Sequence, residues 1–215
     1  MQPEMIEKIT QAGVVAVLVI DELAHAVPLA NALMAGGVNT IELTLRTPIA
    51  LDAARAIKQE VPGLSVGLGT VLTVAQVKAA ADLGADFAVA PGCNPRILAA
   101  AQDHGLSFGP GVATASEIEL AIEHGCRLLK FFPAETSGGI KHLKSMAGPY
   151  QYLGLSFIPL GGLNINNAAS YLESPFTAAI GGSWIAKRPV IKAENWDQIM
   201  ANAREARELV KRVRG

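Results

Sequence analysis

Leu33-Met34-Ala35-Gly36-Gly37-Val38-Asn39-Thr40-Ile41-Glu42-Leu43-Thr44-Leu45-Arg46 carries the pattern that decides the fold. A segment with apolar residues at Leu23, Val27, Ala30 and Leu33 has helical periodicity and ends at a glycine. A short strand-like run, Asn39 to Leu43, follows at once. Glycine suits that junction because a helix C-cap takes a left-handed backbone that strains other residues. The same glycine recurs at Gly13, Gly63, Gly84, Gly105, Gly125 and Gly154, with spacings of 20 to 29 residues. That spacing holds one strand, one helix and two loops. The runs that follow are Val14 to Val19, Ser65 to Leu68, Asp86 to Ala90, Ser107 to Gly109, Arg127 to Phe131 and Ser156 to Leu160. An eighth, Thr177 to Ile180, follows Pro175 instead.

Eight alternations of strand and helix predict an α/β protein with a closed parallel sheet, a (β/α)8 TIM barrel. At 215 residues the chain is short for that architecture, so residues 1–215 are expected to form a single barrel domain without an inserted one. Met1 to Ala12 is expected to be an extra N-terminal helix under or across the barrel. Thr73, Ser116 and Asn164 stand where N-caps belong, and Pro48 and Pro95 where first helical turns begin. Glu194 to Arg214 predicts a closing helix with Trp196, Ile199, Met200 and Leu209 on or near its buried side.

Half of the residues are hydrophobic and 17% are charged, as in a soluble globular protein with a sizeable core. A net charge of -1 without a long basic run gives no footprint for nucleic acid or an anionic membrane. Small molecules are the expected partners. The first eleven residues lack a continuous apolar stretch of signal-peptide type, and no run reaches transmembrane length. Cys93 and Cys126 form neither a CxxC pair nor part of a histidine cluster, which suits a reducing cytoplasm. His25, His104, His124 and His142 fall in helical segments without metal-site spacing and are expected to be solvated surface residues.

In this architecture chemistry collects at the C-terminal ends of the strands, and the polar residues gather there. Lys130 ends the apolar run Leu128-Leu129-Lys130-Phe131-Phe132-Pro133. Two readings are open for it. It caps a strand and snorkels to solvent, or it is desolvated toward the neutral amine that attacks carbonyl carbons. Glu42 and Lys130 each lie five residues past their glycine, which places them at the same level of neighbouring barrel units. Glu42, Thr44 and Arg46 share one strand face. Glu42 is then a salt-bridge partner of Arg46 or Lys130, a reading compatible with a functional role. Arg46 is a surface pairing residue or a fork for a substrate carboxylate. Thr70, in Gly67-Leu68-Gly69-Thr70, reads by itself as a turn hydroxyl. Gly161-Gly162 and Gly181-Gly182-Ser183 end the last two strands, where exposed N–H groups commonly build a phosphate site, although tight turns also use such glycines.

These residues together give the chain a family resemblance. Ile41-Glu42-Leu43-Thr44-Leu45-Arg46-Thr47, Gly69-Thr70-Val71-Leu72, Pro91-Gly92, Lys130-Phe131-Phe132-Pro133-Ala134-Glu135 and Gly181-Gly182-Ser183-Trp184 are similar, in order and spacing, to the motifs of the 2-keto-3-deoxy-6-phosphogluconate aldolase family, many of whose members also act on 4-hydroxy-2-oxoglutarate. The resemblance runs from about Gly13 to beyond Trp184. It implies a class I aldolase on a TIM barrel that needs no metal and no cofactor, assembles as a homotrimer, and splits the sugar acid into pyruvate and glyceraldehyde 3-phosphate. A shorter substrate would yield pyruvate and glyoxylate.

By the same resemblance Lys130 is the Schiff-base lysine and Glu42 the proton shuttle. Arg46 and Thr70 hold the pyruvyl carboxylate, Pro91 and Phe132 form apolar walls, and Gly161, Gly162 and Ser183 bind the phosphate end. One departure stands out. Leu160 precedes Gly161-Gly162 where a threonine is expected, which removes a hydroxyl near the substrate's polar end and favours the shorter substrate. Cys93-Asn94 also departs from the family and is expected to lie in a loop and at a helix start, with no assigned role. The galactonate-derived stereoisomer as substrate, a sugar-phosphate epimerase or isomerase, and a catalytically silent binding barrel are the competing readings.

Overall fold

The computed structural model describes residues 1–215. All seven punctuating glycines have positive φ, from 64° at Gly105 to 96° at Gly63, so the repeat seen in the sequence is a repeat of helix-to-strand junctions. The strands are β1 (Val14–Leu18), β2 (Thr40–Thr44), β3 (Ser65–Gly69), β4 (Phe87–Val89), β5 (Phe108–Gly109), β6 (Gly111–Val112), β7 (Leu128–Phe131), β8 (Ser156–Pro159) and β9 (Ile180–Gly182). Among them run α1 (Pro3–Ala12), α2 (Ala26–Ala35), α3 (Ala50–Glu60), α4 (Val74–Leu83), α5 (Pro95–Asp103), α6 (Ala115–Glu123), α7 (Gly139–Ala147), α8 (Ala168–Leu172), α9 (Arg188–Lys192) and α10 (Trp196–Arg214).

Nine strands make an eight-stranded TIM barrel because the fifth is divided. Parallel ladders join β5-β4-β3-β2-β1-β9 and β6-β7-β8. At the division stands Pro110, which has no N–H to give, and the ladder passes from β4 on one side to β7 on the other. Lys130 N donates to Pro110 O at 2.8 Å across that point. Between β8 and β9 the closure is a single parallel bridge, Phe157 to Thr177. The eighth strand therefore pairs first at Thr177, and its regular stretch is Ile180–Gly182, displaced from the expected Thr177 to Ile180.

The helix ends follow local chemistry. Thr73 caps α4 in a capping box with Gln76, and Asn94 caps α5 ahead of Pro95 at the first helical position. For α6 the cap is Thr114 and not Ser116, since Glu117 stands three residues beyond Thr114 and completes a capping box. Asn164 caps a turn instead of a helix, its Oδ1 accepting Asn166 N at 2.9 Å. Pro48 lies in the turn before α3.

Two apolar layers result from strand alternation. Outward residues such as Ile41, Leu43, Leu129 and Phe131 pack under the helices. Inward residues Val15, Val17, Phe87, Val89, Leu128 and Ile158 form an inner cluster, joined by Met5 and Ile9 of α1. Helix α1 therefore lies across the N-terminal end of the barrel, with Gln2 N donating to Ser107 Oγ at 3.1 Å just before β5. Full burial of Ile9 there stabilises the cap by about 2 kcal/mol. No helix is long and apolar enough to cross a membrane.

The surface expectation for the histidines fails at His25, which is buried. It meets Trp196 edge-on at 5.8 Å between ring centroids, and its Nε2 lies 3.3 Å from Glu194 Oε1. The closing helix α10, with Ile199 and Leu209 buried, brings this cover from the far end of the chain.

Candidate active site

Alternation along β2 turns Glu42 inward between the outward Ile41 and Leu43, and alternation along β7 does the same for Lys130 between Leu129 and Phe131. The two side chains meet. Lys130 Nζ lies 2.8 Å from Glu42 Oε1 and 3.1 Å from Oε2, with the side chains 7% and 3% exposed. Their level is as expected, but their strands are not neighbours. Strands β2 and β7 stand opposite one another, so the pair spans the lumen. Glycines make the span passable. A Cβ on Gly69 would stand 2.1 Å from Glu42 Oε1, and one on Gly67 would stand 2.2 Å from the Phe87 ring.

Arg46 binds neither Glu42 nor Lys130. Its Nε donates to Thr44 Oγ1 at 3.1 Å, and that hydroxyl in turn donates to Leu18 O at 2.9 Å. This leaves both terminal nitrogens of the guanidinium without protein partners, at an exposed position over the mouth. Thr70 has φ 60°, a left-handed backbone at a non-glycine residue that costs on the order of 1–3 kcal/mol and persists where surroundings impose it. Such strain is a mark of functional sites, which goes beyond the bare turn reading.

The Phe132 ring closes one wall, its centroid 5.4 Å from Lys130 Nζ, within range of a cation–π contact. Gly161 and Gly162 turn with φ 96° and 85°, conformations that require glycine. Their carbonyls are held from outside the cavity: Gly161 O accepts Glu135 N at 3.0 Å and Gly162 O accepts Asn167 Nδ2 at 3.2 Å. Their own N–H groups have no protein acceptor. Leu160 is buried, its branch resting on Gly181, and it presents no hydroxyl.

All nine residues singled out in the sequence (Glu42, Arg46, Thr70, Pro91, Lys130, Phe132, Gly161, Gly162 and Ser183) line one cavity of about 240 Å³. Gly182, of the Gly181-Gly182-Ser183 stretch, lines it too, as do Val17 and Leu163, which the sequence did not single out. Alternation from the buried Val15 could have found Val17. Thr44, noted only as a face-mate of Glu42, proves to be the support of Arg46. A larger cavity of about 630 Å³ opens near the N-terminal ends of the strands, but its amine–carboxylate pair, Lys58 with Asp86 at 3.1 Å, is partly exposed to solvent, unlike the buried Lys130–Glu42 pair.

A buried amine touching a carboxylate, beside a free guanidinium and unpaired glycine N–H groups at the C-terminal mouth of a (β/α)8 barrel, defines an enzyme of Schiff-base type that handles an acidic carbonyl compound. Comparison with known proteins narrows the class. The family model for KDPG and KHG aldolase matches residues 5–202. The 2-dehydro-3-deoxy-phosphogluconate aldolase of Dickeya dadantii is 44% identical over 201 residues, covering 93% of each chain. The KHG/KDPG aldolase of Escherichia coli is 44% identical over 200 residues, again 93% of each. Among solved structures, the KDPG aldolase of Legionella pneumophila, with pyruvate captured as a covalent carbinolamine intermediate, superimposes with a TM-score of 0.90 at 38% identity, covering 96% of this chain and 98% of that one. The chain belongs to the KDPG and KHG aldolase family, a family of carbon–carbon lyases.

Proposed function

We propose that the protein is a class I aldolase that cleaves 2-keto-3-deoxy-6-phosphogluconate to pyruvate and glyceraldehyde 3-phosphate, and 4-hydroxy-2-oxoglutarate to pyruvate and glyoxylate. The observation that carries this reading is the contact of Lys130 Nζ with Glu42 Oε1 at 2.8 Å inside the cavity. In that contact a proton passes from nitrogen to carboxylate over one hydrogen bond, freeing the amine's lone pair. The amine adds to the keto carbon C2, and the resulting carbinolamine loses its hydroxyl as water once Glu42 returns a proton to it. The iminium left at Lys130 then draws in the electrons of the C3–C4 bond as Glu42 removes the C4 hydroxyl proton. The aldehyde departs, leaving an enamine. Protonation at C3 and hydrolysis release pyruvate and restore the amine.

Arg46 and Thr70 are assigned to the substrate carboxylate, since a guanidinium with two free nitrogens suits bidentate pairing. Pro91 and Phe132 cover the reacting carbons. Gly161, Gly162 and Ser183 take the phosphate end through N–H and hydroxyl donors. This chemistry needs neither metal nor organic cofactor. Leu160 cannot offer the hydroxyl expected at that end, which tilts preference toward the shorter acid, and near-equal turnover of the two substrates would leave that tilt unsupported.

The same reading takes residues 1–215 as one barrel domain, acting on small molecules in the cytoplasm and assembling as a homotrimer. Leu72 and Val74 support the assembly, being about half exposed (52% and 50%) just beyond Thr70, where an isolated chain leaves large apolar side chains in water. Incubation with pyruvate and borohydride, followed by intact-mass and peptide analysis, tests the proposal. An adduct on Lys130 is expected. A folded protein that forms none is not a Schiff-base aldolase.

A further inference from the structure

Glu135 has no step in the chemistry above, yet it supports the anion end of the cavity from behind. Its backbone N–H donates to Gly161 O at 3.0 Å. A Cβ on Gly162 would stand 2.7 Å from Glu135 Cβ and 2.8 Å from its Cγ, so the stem of Glu135 lies flat against the glycine. On the other side Asn167 holds the Gly162 carbonyl. An exposed glutamate ordinarily roams among rotamers, and holding it in one costs conformational entropy. Here its carboxylate accepts the hydroxyl of Tyr171, its one hydrogen-bond partner.

Tyr171 is the fixed member of the pair. It sits on α8, 1% exposed, and is among the largest fully buried side chains of the protein. A buried phenol must find an acceptor, and this one reaches out to a surface carboxylate instead of a nearby carbonyl. Burial first, and the bond to Glu135 second, push the Tyr171 hydroxyl well above its usual range, so it stays a donor at every working pH. The bond ties the carboxylate to Tyr171 on α8, and Glu135 is not among the residues that line the cavity.

We infer that Tyr171 and Glu135 form a positioning pair that fixes the Gly161-Gly162 turn for the phosphate of the substrate, and so govern preference for phosphorylated over unphosphorylated acids. The inference rests on the aldolase reading for the identity of the substrates. Neither residue touches the reacting carbons.

The test compares Tyr171→Phe, Glu135→Ala and Glu135→Gln with the wild-type enzyme. Phenylalanine keeps the buried volume and removes only the hydroxyl. Tyr171→Phe and Glu135→Ala are expected to raise KM for 2-keto-3-deoxy-6-phosphogluconate about fivefold, as loss of one ordinary hydrogen bond would. KM for 4-hydroxy-2-oxoglutarate and the rate of pyruvate trapping at Lys130 should stay within about twofold. Glu135→Gln keeps an acceptor oxygen and should behave as wild type. KM values that move together for both substrates, or not at all, would overturn the pairing. Inorganic phosphate supplies a readout free of catalysis: its dissociation constant, followed by phosphorus NMR, should rise in Tyr171→Phe and not in Glu135→Gln. Failure of wild-type trapping would sink the aldolase reading while leaving this second measurement to decide the pair.

Discussion

Gly69 and Glu42 compete for one volume. The space that a Cβ at residue 69 would fill is already taken by the Glu42 carboxylate, 2.1 Å away from its Oε1. Gly69→Ala must therefore move the carboxylate off Lys130. Overpacking of this kind costs about 1–3 kcal/mol of stability. A displacement near 1 Å at a reacting group costs on the order of 100-fold in rate. Urea unfolding and steady-state kinetics of Gly69→Ala should show both losses, and a variant with wild-type kcat would mean that the carboxylate's position is not critical.

Lys130→Met removes the proposed nucleophile and leaves Glu42 buried without a partner. Breaking a buried ion pair from one side costs about 3–5 kcal/mol. Adding Glu42→Gln to that variant should recover part of the loss, because the uncompensated charge disappears. Denaturant titration of the two variants at pH 7 checks this. No recovery in the double variant would show that the remaining carboxylate is not the source of the instability.

Glu42→Gln alone leaves the amine in place and removes the proposed proton carrier. Cleavage should fall by about 10²- to 10⁴-fold, the usual contribution of a general acid–base group. Borohydride trapping with pyruvate should still label Lys130, though more slowly. Loss of labelling with cleavage intact is the outcome that would reverse the two assignments.

Asp21 gives a pH signature at the mouth. Arg188 donates to it through Nε at 2.8 Å, and that bond holds the carboxyl down to about 2 from 3.8. A depressed folded-state value means the contribution is present above about pH 3.8 and is lost as pH falls through about 2. The difference in Tm between wild type and Asp21→Asn should shrink steadily between those limits. A difference constant over that window would show that the ion pair does not stabilise the fold.

Cys93 should react sluggishly. Burial, followed by the charges of Cys126 and Glu117, raises its thiol from 9.0 to about 11. At pH 8 that leaves about 100-fold less thiolate, offset about tenfold by the greater nucleophilicity of a more basic sulfur. Alkylation about tenfold slower than that of a free thiol is expected, and mass spectrometry of iodoacetamide-treated protein measures it.

How much of this was legible in the sequence depended on the range of the interaction. The barrel was legible because seven helix-to-strand junctions take a left-handed residue, and glycine advertises it locally. The inward aim of Glu42 and Lys130 was legible from period-two alternation. A Glu42–Lys130 ion pair was among the readings, but that it spans the lumen from opposite strands was not, since the repeat fixes level along the axis and leaves angular position to the strand count. The division of the fifth strand was written in Gly109-Pro110-Gly111, where a proline cannot serve a ladder on both sides. His25 was misjudged because its cover comes from Glu194 and Trp196, 169 or more residues away, a contact that helical periodicity around His25 cannot report.

Helix α1 stops the barrel at one end with Met5 and Ile9, so the lumen is a vessel with a single opening. Substrate, both products and the water that frees the enzyme all share that doorway. The covalent sequence of the proposed reaction orders the departures, aldehyde first and pyruvate last, and the closed end gives both the same exit.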